Sequence, residues 1–418
     1  MKMEILDYDH DRDFSAASRI MYEVGWLEDE DDAKAFEVEA RASVGWILPI
    51  DGQAECVVFT APGSMRHGTT DLAMTAITGV VTSRIARRLG AASKLTAHAL
   101  AVGREAGSEV AALNMFDQGY YDRLGFGTGA YSNTIKFDPA TLRVDRPPRP
   151  PRRLTAGDWG DIHEAMRARL RDHGSIVIDS GGGLCAELSS YDAARTIGLG
   201  YYDGRDGALS HFFFGETSGE NGPYTIRWYA YRSTEQLMEL LALMRSLGDQ
   251  VFSLVMEEPP GIQFQDLLMQ PLRSREISQG SKHAGKHTTH AYSQVRILDL
   301  VDSLAKTHLD AESVTFNLQL SDPVAGHLGT RTLGTRTRWQ GIAGDYVVTL
   351  GENCSAEKGR SPGLPTLSAS IGAFSRLWLG VRNASSLAVT DNLRGDAALL
   401  RQLDRALRLP QPHFGWPF

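Results

Sequence analysis

Apolar and polar positions alternate along this chain with two periods, and the switches between them mark out its elements. From Asp13 to Val24, Phe14, Ala17, Ile20, Met21 and Val24 recur at helical spacing. The same spacing returns from Gly90 to Ala106, with apolar residues at 91, 92, 95, 99 and 102, and Gly107 supplies a stop. Glu4–Tyr8 predicts a short opening strand. Trp46–Ile50 and Glu55–Thr60 read as strands around an Asp51-Gly52 turn, and Met74–Thr82 as another. Glu109–Met115 predicts a strand and Gln118–Leu124 a short helix. Tyr131–Phe137 predicts the last strand of this first region. The acidic run Glu28-Asp29-Glu30-Asp31-Asp32 leads into a helix through Ala33, Phe36 and Ala40. Negative charge in a first turn is favoured by the helix dipole. Lining a cleft, the same run would attract a cationic amine.

Arg146-Pro147-Pro148-Arg149-Pro150-Pro151-Arg152 interrupts the pattern. Paired prolines cannot continue a helix and favour a stiff extended segment, so this is a linker. Beyond it, Asp158–Leu170 and Thr234–Leu247 have helical spacing, and Tyr224–Tyr231 and Gln250–Met256 read as strands. The order loosely echoes the first region. A third region opens near Val295. It predicts strands at Val314–Leu320 and Asp345–Leu350, and helices at Ile371–Leu379, Ser385–Ala388 and Asp396–Leu407. The expected organisation is a domain over 1–145, a linker over 146–152, and further domains over 153–293 and 294–418. Gly181-Gly182-Gly183 reads as a flexible loop.

Composition narrows the class. The chain has 418 residues, 42% hydrophobic and 22% charged, which is ordinary for a soluble globular protein of several domains. A net charge of −8 argues against a general nucleic-acid binder. Cys56, Cys185 and Cys354 lie far apart, which fits reduced thiols in a bacterial cytoplasm rather than a disulfide framework or a zinc site. The first residues lack the apolar run of a signal peptide, and no long uncharged stretch predicts a membrane span. His283, His287 and His290 are spaced for a metal on a helix, but they sit in a loop-like context without nearby acids, so no metal is expected. No Gly-x-Ser-x-Gly elbow is present, which weakens a serine hydrolase reading.

Two stretches carry chemistry. Arg87-Arg88-Leu89-Gly90-Ala91-Ala92-Ser93 joins a strand to a helix N-terminus, where unpaired N–H groups and the dipole attract phosphate oxygens. Gly90 and Ala91 keep bulk away, and Arg87 and Arg88 add charge. The stretch is neither a P-loop nor a dinucleotide fingerprint. Taken alone, it is equally the exposed basic start of a helix. The second is Gly119-Tyr120-Tyr121-Asp122-Arg123-Leu124-Gly125-Phe126-Gly127-Thr128-Gly129, a tyrosine in a glycine-rich turn.

Together they resemble the GNAT acetyltransferase superfamily. Arg87 to Ala92 fits its pyrophosphate loop Arg/Gln-x-x-Gly-x-Gly/Ala, and Tyr121 to Phe126 fits its later Tyr-x-x-x-Gly-Phe. The resemblance implies acetyl-CoA as acetyl donor, an amine as acceptor, and a tyrosine that protonates the departing thiolate. Tyr121 occupies that position. A neutral phenol, with an ordinary pKa of about 10, can serve as the donor. The bland alternative is a core tyrosine closing a turn, and Tyr120 reads as packing. The resemblance also implies donor contacts from Val80, Val81 and Thr82. Their backbone would hold the pantetheine arm like an added strand and polarise the thioester carbonyl. Contacts from Phe116 and Asp117 are implied in the same way.

Length, three-part organisation and tail narrow the likeness to the enhanced intracellular survival (Eis) family. The segments carrying it are Gly79-Val80-Val81-Thr82, the loop at 87–90 and the turn at 119–127. Leu377-Trp378-Leu379-Gly380 and Leu393 to Leu400 add to it in the third region. The implied fold is of mixed α/β (α+β) sheets, with tandem GNAT-like domains, the second degenerate, before a sterol-carrier-like α+β domain. The family uses its C-terminal carboxylate, commonly on phenylalanine, as a base, and this chain ends at Phe418. A terminal carboxylate is ionised at neutral pH. Chain ends are usually frayed, yet Phe414, Trp416 and Phe418 are odd in a solvated tail. Relatives form hexamers, so a homo-oligomer is implied. Departures are Arg84 where proline is common, Gly79 in place of a bulkier residue, and Pro417 where an acid can help bind cations. They put an aminoglycoside acceptor in doubt and leave polyamine or lysine-like amines open. The alternative from another class is a non-catalytic CoA- or lipid-binding protein with a vestigial site.

Overall fold

The computed structural model describes residues 4–115, 119–271, 279–328 and 337–418. The chain divides into two compact units, one of residues 1–130, 172–182 and 292–418, the other of residues 131–171 and 183–291. The mixed α/β class expected from the sequence holds.

In the first unit, strand β1 (Leu6–Asp7) precedes helices α1 (His10–Val24) and α2 (Glu30–Ala42). The acidic run does what its position in the pattern predicts. Asp29 caps α2, accepting from the N–H groups of Asp31 and Asp32, and Asp32 accepts from Glu28 N–H at 2.8 Å. A meander follows of β2 (Val44–Ile50), β3 (Gln53–His67) and β4 (Thr70–Thr82), then helix α3 (Ala91–Glu105) and β5 (Val110–Asn114). Helix α3 lies close on β4 because residue 103 is glycine. A Cβ there would stand 2.2 Å from Thr75 Oγ1. Leu95, Ala99 and Leu100 of α3 are fully buried with Val58, Ala111 and Leu113 of the sheet. Removing one such leucine side chain costs about 2–5 kcal/mol.

The edge of this sheet departs from the sequence reading. The strand Ser132–Phe137 lies in the second unit, between Lys286–His290 and Leu254–Glu257. The place beside β5 is taken by Ser293–Ile297, which also pairs with β6 (Gly127–Thr128). An alternating apolar strand specifies which face is buried but not which neighbour it pairs with. A further strand, Ile176–Ile178, pairs with β3 at Gly63–Met65.

The same unit carries a second sheet, ordered Ser355–Lys358, Gly344–Leu350, Val314–Ser321, Thr366–Ser370, Leu393–Arg394. Helices Ile371–Trp378, Ala384–Thr390 and Ala397–Ala406 accompany it, capped by Ser370, Asn383 and Asp396. Two histidines tie the β3–β4 hairpin region to this part. His67 Nε2 donates to Trp378 O at 3.0 Å, and its ring stacks on the Trp378 indole. His173 Nε2 donates to Leu379 O at 3.0 Å while its Nδ1 accepts from Gly68 N–H. Burial pushes His67 down to about 3 and lowers His173 also, so both are neutral when folded. In the unfolded chain they protonate near pH 6.5. Their contribution is therefore complete above about pH 6.5 and is lost as pH falls below it. Denaturation midpoints should drop on acidification from pH 7 to 4.5, and His67→Phe should weaken that dependence. An unchanged pH profile in the variant would show that His67 binds as many protons folded as unfolded and does not set the dependence.

The second unit has one seven-stranded sheet, Lys286–His290, Ser132–Phe137, Leu254–Glu257, Tyr224–Ala230, His211–Thr217, Thr196–Tyr201, Arg152–Arg153. Its helix Thr234–Ser246 packs Leu240, Leu241 and Met244 against Phe213 and Leu254. The proline-rich segment is pinned within this unit. Arg149 donates to Glu239 at 2.7 Å and to Asp203 at 2.5 Å, and its guanidinium lies over the Tyr201 ring. His287 and His290 fall on a strand, where residues three apart face opposite sides, so they do not share a helix face. Gly182 and Gly183 open a helix, Gly182–Ser190, rather than forming a loop. Glycine at 182 permits a close approach, since a Cβ would stand 2.2 Å from Ala42 Cβ.

Candidate active site

The site begins with a fault in β4. Against β3, Phe59 pairs with Gly79 and Thr60 with Ile77, so Thr78 is an extra residue. Such a bulge bends the strand and ends local pairing. Accordingly, among the described residues, β4 runs parallel with β5 from Met74 to Ile77, and Gly79–Thr82 pair with β3 alone. The wedge this opens is a cleft of about 930 Å³, lined by Val80, Val81, Thr82, Arg87, Arg88, Gly90, Ala91, Ala92, Ser93 and Tyr121 among others.

One end of the cleft is the loop into α3. Arg88 and Gly90 take positive φ, 65° and 77°, and turn the backbone sharply. Gly90 is the N-cap and offers no side chain, so the first N–H groups of α3, at Ala91, Ala92 and Ser93, have no cap oxygen. Arg87, Arg88 and Leu89 are exposed around them. Open N–H groups, the dipole and two guanidinium groups suit a pyrophosphate. Ser93 Oγ is instead 3.3 Å from Tyr120 OH, whose pKa is raised by burial.

The departure at Arg84 has a use. Arg84 N–H donates to Glu23 Oε2 at 3.0 Å, and its guanidinium donates to Glu23 O. Proline could not make the first bond. Arg19 holds the other oxygen, Glu23 Oε1, at 2.8 Å. The Arg84 backbone bond and Arg19 keep the Glu23 carboxyl below its ordinary range. Glu23→Ala frees the loop, and losing about 1 kcal/mol of restraint should raise the KM for acetyl-CoA roughly fivefold with kcat little changed. Steady-state kinetics with varied donor concentration checks this.

Tyr121 opens a 3-10 turn, Tyr121–Leu124, closed by Gly125 at φ 82°. Phe126 N–H donates to Tyr121 O at 3.2 Å, and the Tyr121 ring meets Tyr120 and Phe126 edge-on at 4.9 and 6.1 Å. The side chain is half-buried and lines the cleft. The buried Cys56 thiol is 3.2 Å from Thr82 Oγ1, and burial pushes it up to about 12. It is therefore no thiolate nucleophile at neutral pH.

The C-terminal segment ends beside β5, next to the point where β5 parts from β4. Phe414 and Trp416 are buried. Ile176 N–H donates to Phe414 O, and His413 N–H to His173 O, both at 3.0 Å. At the end, Phe418 O accepts from Asn114 Nδ2 at 3.1 Å. Asn114 closes β5, and its Oδ1 accepts from Ser293 Oγ at 2.7 Å. With the carbonyl side engaged by Ser293, the amide presents N–H to Phe418.

All the residues expected to contact the donor line the cleft except Leu89, which is exposed at the loop, and Phe116 and Asp117, which lie outside the described residues. Sequence reasoning missed Asn114, Ser293, Glu23 and Arg84's role. Glu23 and Asn114 end ordinary elements, and Ser293 gains meaning only from a strand pairing far along the chain.

Residues 28–129 match the acetyltransferase (GNAT) domain family, and residues 301–415 the sterol carrier protein domain family. The chain carries a GNAT acetyltransferase domain and a sterol carrier protein domain. The GNAT domain is that of an acyltransferase enzyme. The whole chain is similar in fold to a probable N-acyltransferase of Enterococcus faecalis V583, with TM-score 0.78 and 18% identity over all of both chains. It is similar also to a GCN5-related N-acetyltransferase of Kribbella flavida, with TM-score 0.75 and 15% identity over all of this chain and 98% of that one. Eis1 of Mycobacterium abscessus gives TM-score 0.75 and 13% identity over all of both chains. Sequence comparison with curated proteins gives no match. Among the described residues no helix is long and apolar enough to cross a membrane.

Proposed function

We propose that the protein is an acetyl-CoA-dependent N-acetyltransferase of primary amines, with Tyr121 as general acid and the Phe418 carboxylate as general base. The observation that carries the reading is the hydrogen bond from Asn114 to Phe418, at the end of the strand that splays from β4. It supports the reading because Asn114 follows the last residue at which β5 pairs with β4, where the two strands begin to part.

The loop at Arg87–Ser93 binds the pyrophosphate. The free edge of Val80–Thr82 holds the pantetheine arm as an added strand would, and its N–H groups polarise the acyl carbonyl. Acetyl-CoA supplies the acyl group as a thioester. The amine must lose a proton to end as an amide, and Phe418 accepts it, directly or through water. As the carbon–nitrogen bond forms and the carbon–sulfur bond breaks, Tyr121 gives its proton to sulfur, and solvent exchange resets both groups.

The test is CoA release with a panel of polyamines, aminoglycosides and lysine peptides. Turnover with at least one amine, saturable in both substrates, is expected. No release with any of them, alongside tight binding of a lipid, would replace this reading with that of a lipid-binding protein carrying a vestigial site. Within the loop, Arg87→Ala or Arg88→Ala removes a charge-assisted contact of about 1.5–3 kcal/mol, so the acetyl-CoA Kd should rise about 10- to 100-fold. Calorimetric titration with acetyl-CoA reads this directly.

A further inference from the structure

The strand Ser293–Ile297 does more than complete the sheet. Its Ser293 orients Asn114. Gln294, fully buried, donates from Nε2 to Asp122 Oδ1 at 2.8 Å. Arg296, also fully buried, donates from Nη1 to Leu124 O. Asp122 and Leu124 belong to the short turn that begins at Tyr121. Leu124 closes that turn, and the residue after it packs directly on the same guanidinium. A Cβ on Gly125 would stand 2.5 Å from Arg296 Nη1 and 2.6 Å from Ile371 Cγ2.

The guanidinium is itself held from the other side. Arg296 Nη2 donates to Asp322 Oδ2 at 2.5 Å, with both side chains at 0% exposure. Asp322 is fixed in turn, since Oδ1 accepts from Val324 N–H at 3.1 Å and Oδ2 from Ile342 N–H at 2.9 Å. The Trp339 ring lies 5.2 Å from the guanidinium carbon. A buried ion pair adds little to stability when compared with apolar residues of the same volume. Its use here is geometric. One rigid fork bonds a carbonyl of the tyrosine turn and a carboxylate of the sterol carrier domain at once.

We infer that Arg296 is a positioning residue, through which Asp322 of the sterol carrier domain fixes the turn that carries Tyr121. This rests on the reading of Tyr121 as the general acid. The link explains why a transferase domain is joined to a second fold inside one compact unit. It predicts a loss that appears in kcat, because the donor-binding loop at Arg87–Ser93 is untouched by it. A misplacement of the acid by about 1 Å can cost on the order of 100-fold in rate.

Arg296→Met alone strands a buried carboxylate and can unfold the chain. The informative variant is therefore Arg296→Met with Asp322→Leu, which removes both charges and keeps the volume. Arg296→Lys is the second variant, since its compact ammonium keeps the charge opposite Asp322 but cannot fork to both oxygens. Each is measured in the full chain for kcat, for the acetyl-CoA KM and for thermal midpoint, and again in a Tyr121→Phe background. The expected result is a folded protein with kcat reduced roughly 10- to 100-fold and the acetyl-CoA KM within about threefold. In the Tyr121→Phe background the same changes should cost nothing further, because residues acting as one unit are not additive. Unchanged kcat in a folded variant overturns the inference. So does an equal loss in both backgrounds, which would mark a general structural defect. If Tyr121→Phe alone leaves turnover intact, it is the assignment of the acid that fails, and the two failures are told apart.

Discussion

Tyr121→Phe should lower kcat about 100-fold while leaving the acetyl-CoA Kd within about twofold of wild type. General acid catalysis contributes typically about 10²–10⁴-fold, and a thiolate, itself a good leaving group, calls on the lower end of that range. The variant keeps the ring that packs on Tyr120 and Phe126, so the turn retains its shape. What it loses is the proton for sulfur. CoA release measures kcat, and calorimetry measures donor affinity. Unchanged turnover removes Tyr121 as the acid. A parallel loss of donor affinity would instead make it a binding residue.

The second large effect is expected at the other end of the chain. Converting the Phe418 carboxylate to its amide removes the negative charge without adding length. Asn114 still has an oxygen to donate to, and buried Phe414 and Trp416 still anchor the tail. Folding should therefore survive, with the melting temperature within a few degrees. The rate should fall about 100-fold, because an amide oxygen is far too weak a base to take the amine proton. The loss should shrink at high pH, where the amine deprotonates without help. Appending residues after Phe418 should act likewise. Full activity in the amide would end the role of the carboxylate, and lost acetyl-CoA binding would point to a collapsed cleft.

The parts legible in the sequence are those whose meaning is local. The loop at 87–93 and the turn at 119–129 are read from neighbouring residues, and the structure places both on one cleft. Helices with an apolar stripe and a cap, such as Glu30–Ala42 and Thr234–Ser246, were equally readable. What failed to show was pairing between distant segments. The strand at 132–137 alternates correctly yet joins the other sheet, and 293–297 takes the slot beside β5. Period two encodes a face, not a partner. For the same reason the burial of Gln294 and Arg296, on one side of their strand, has no local signal. They are buried because another fold covers that side, and nothing in Val295-Arg296-Ile297 announces it. The proline-rich stretch was readable as extended, but the clamp of Arg149 by Glu239 and Asp203 was not.

The strand order has a consequence for how the protein is made. The catalytic sheet lacks the neighbour of β5 until residues 293–297 have left the ribosome. At about 5–20 residues per second, the roughly 180 residues in between take about 10–40 s to synthesise. For that time the edge of β5 stands open, a template for the wrong strand. A transcript cut after the first 145 residues should therefore yield an aggregating fragment, and the nascent chain should be a client of ribosome-associated chaperones until the missing strand arrives.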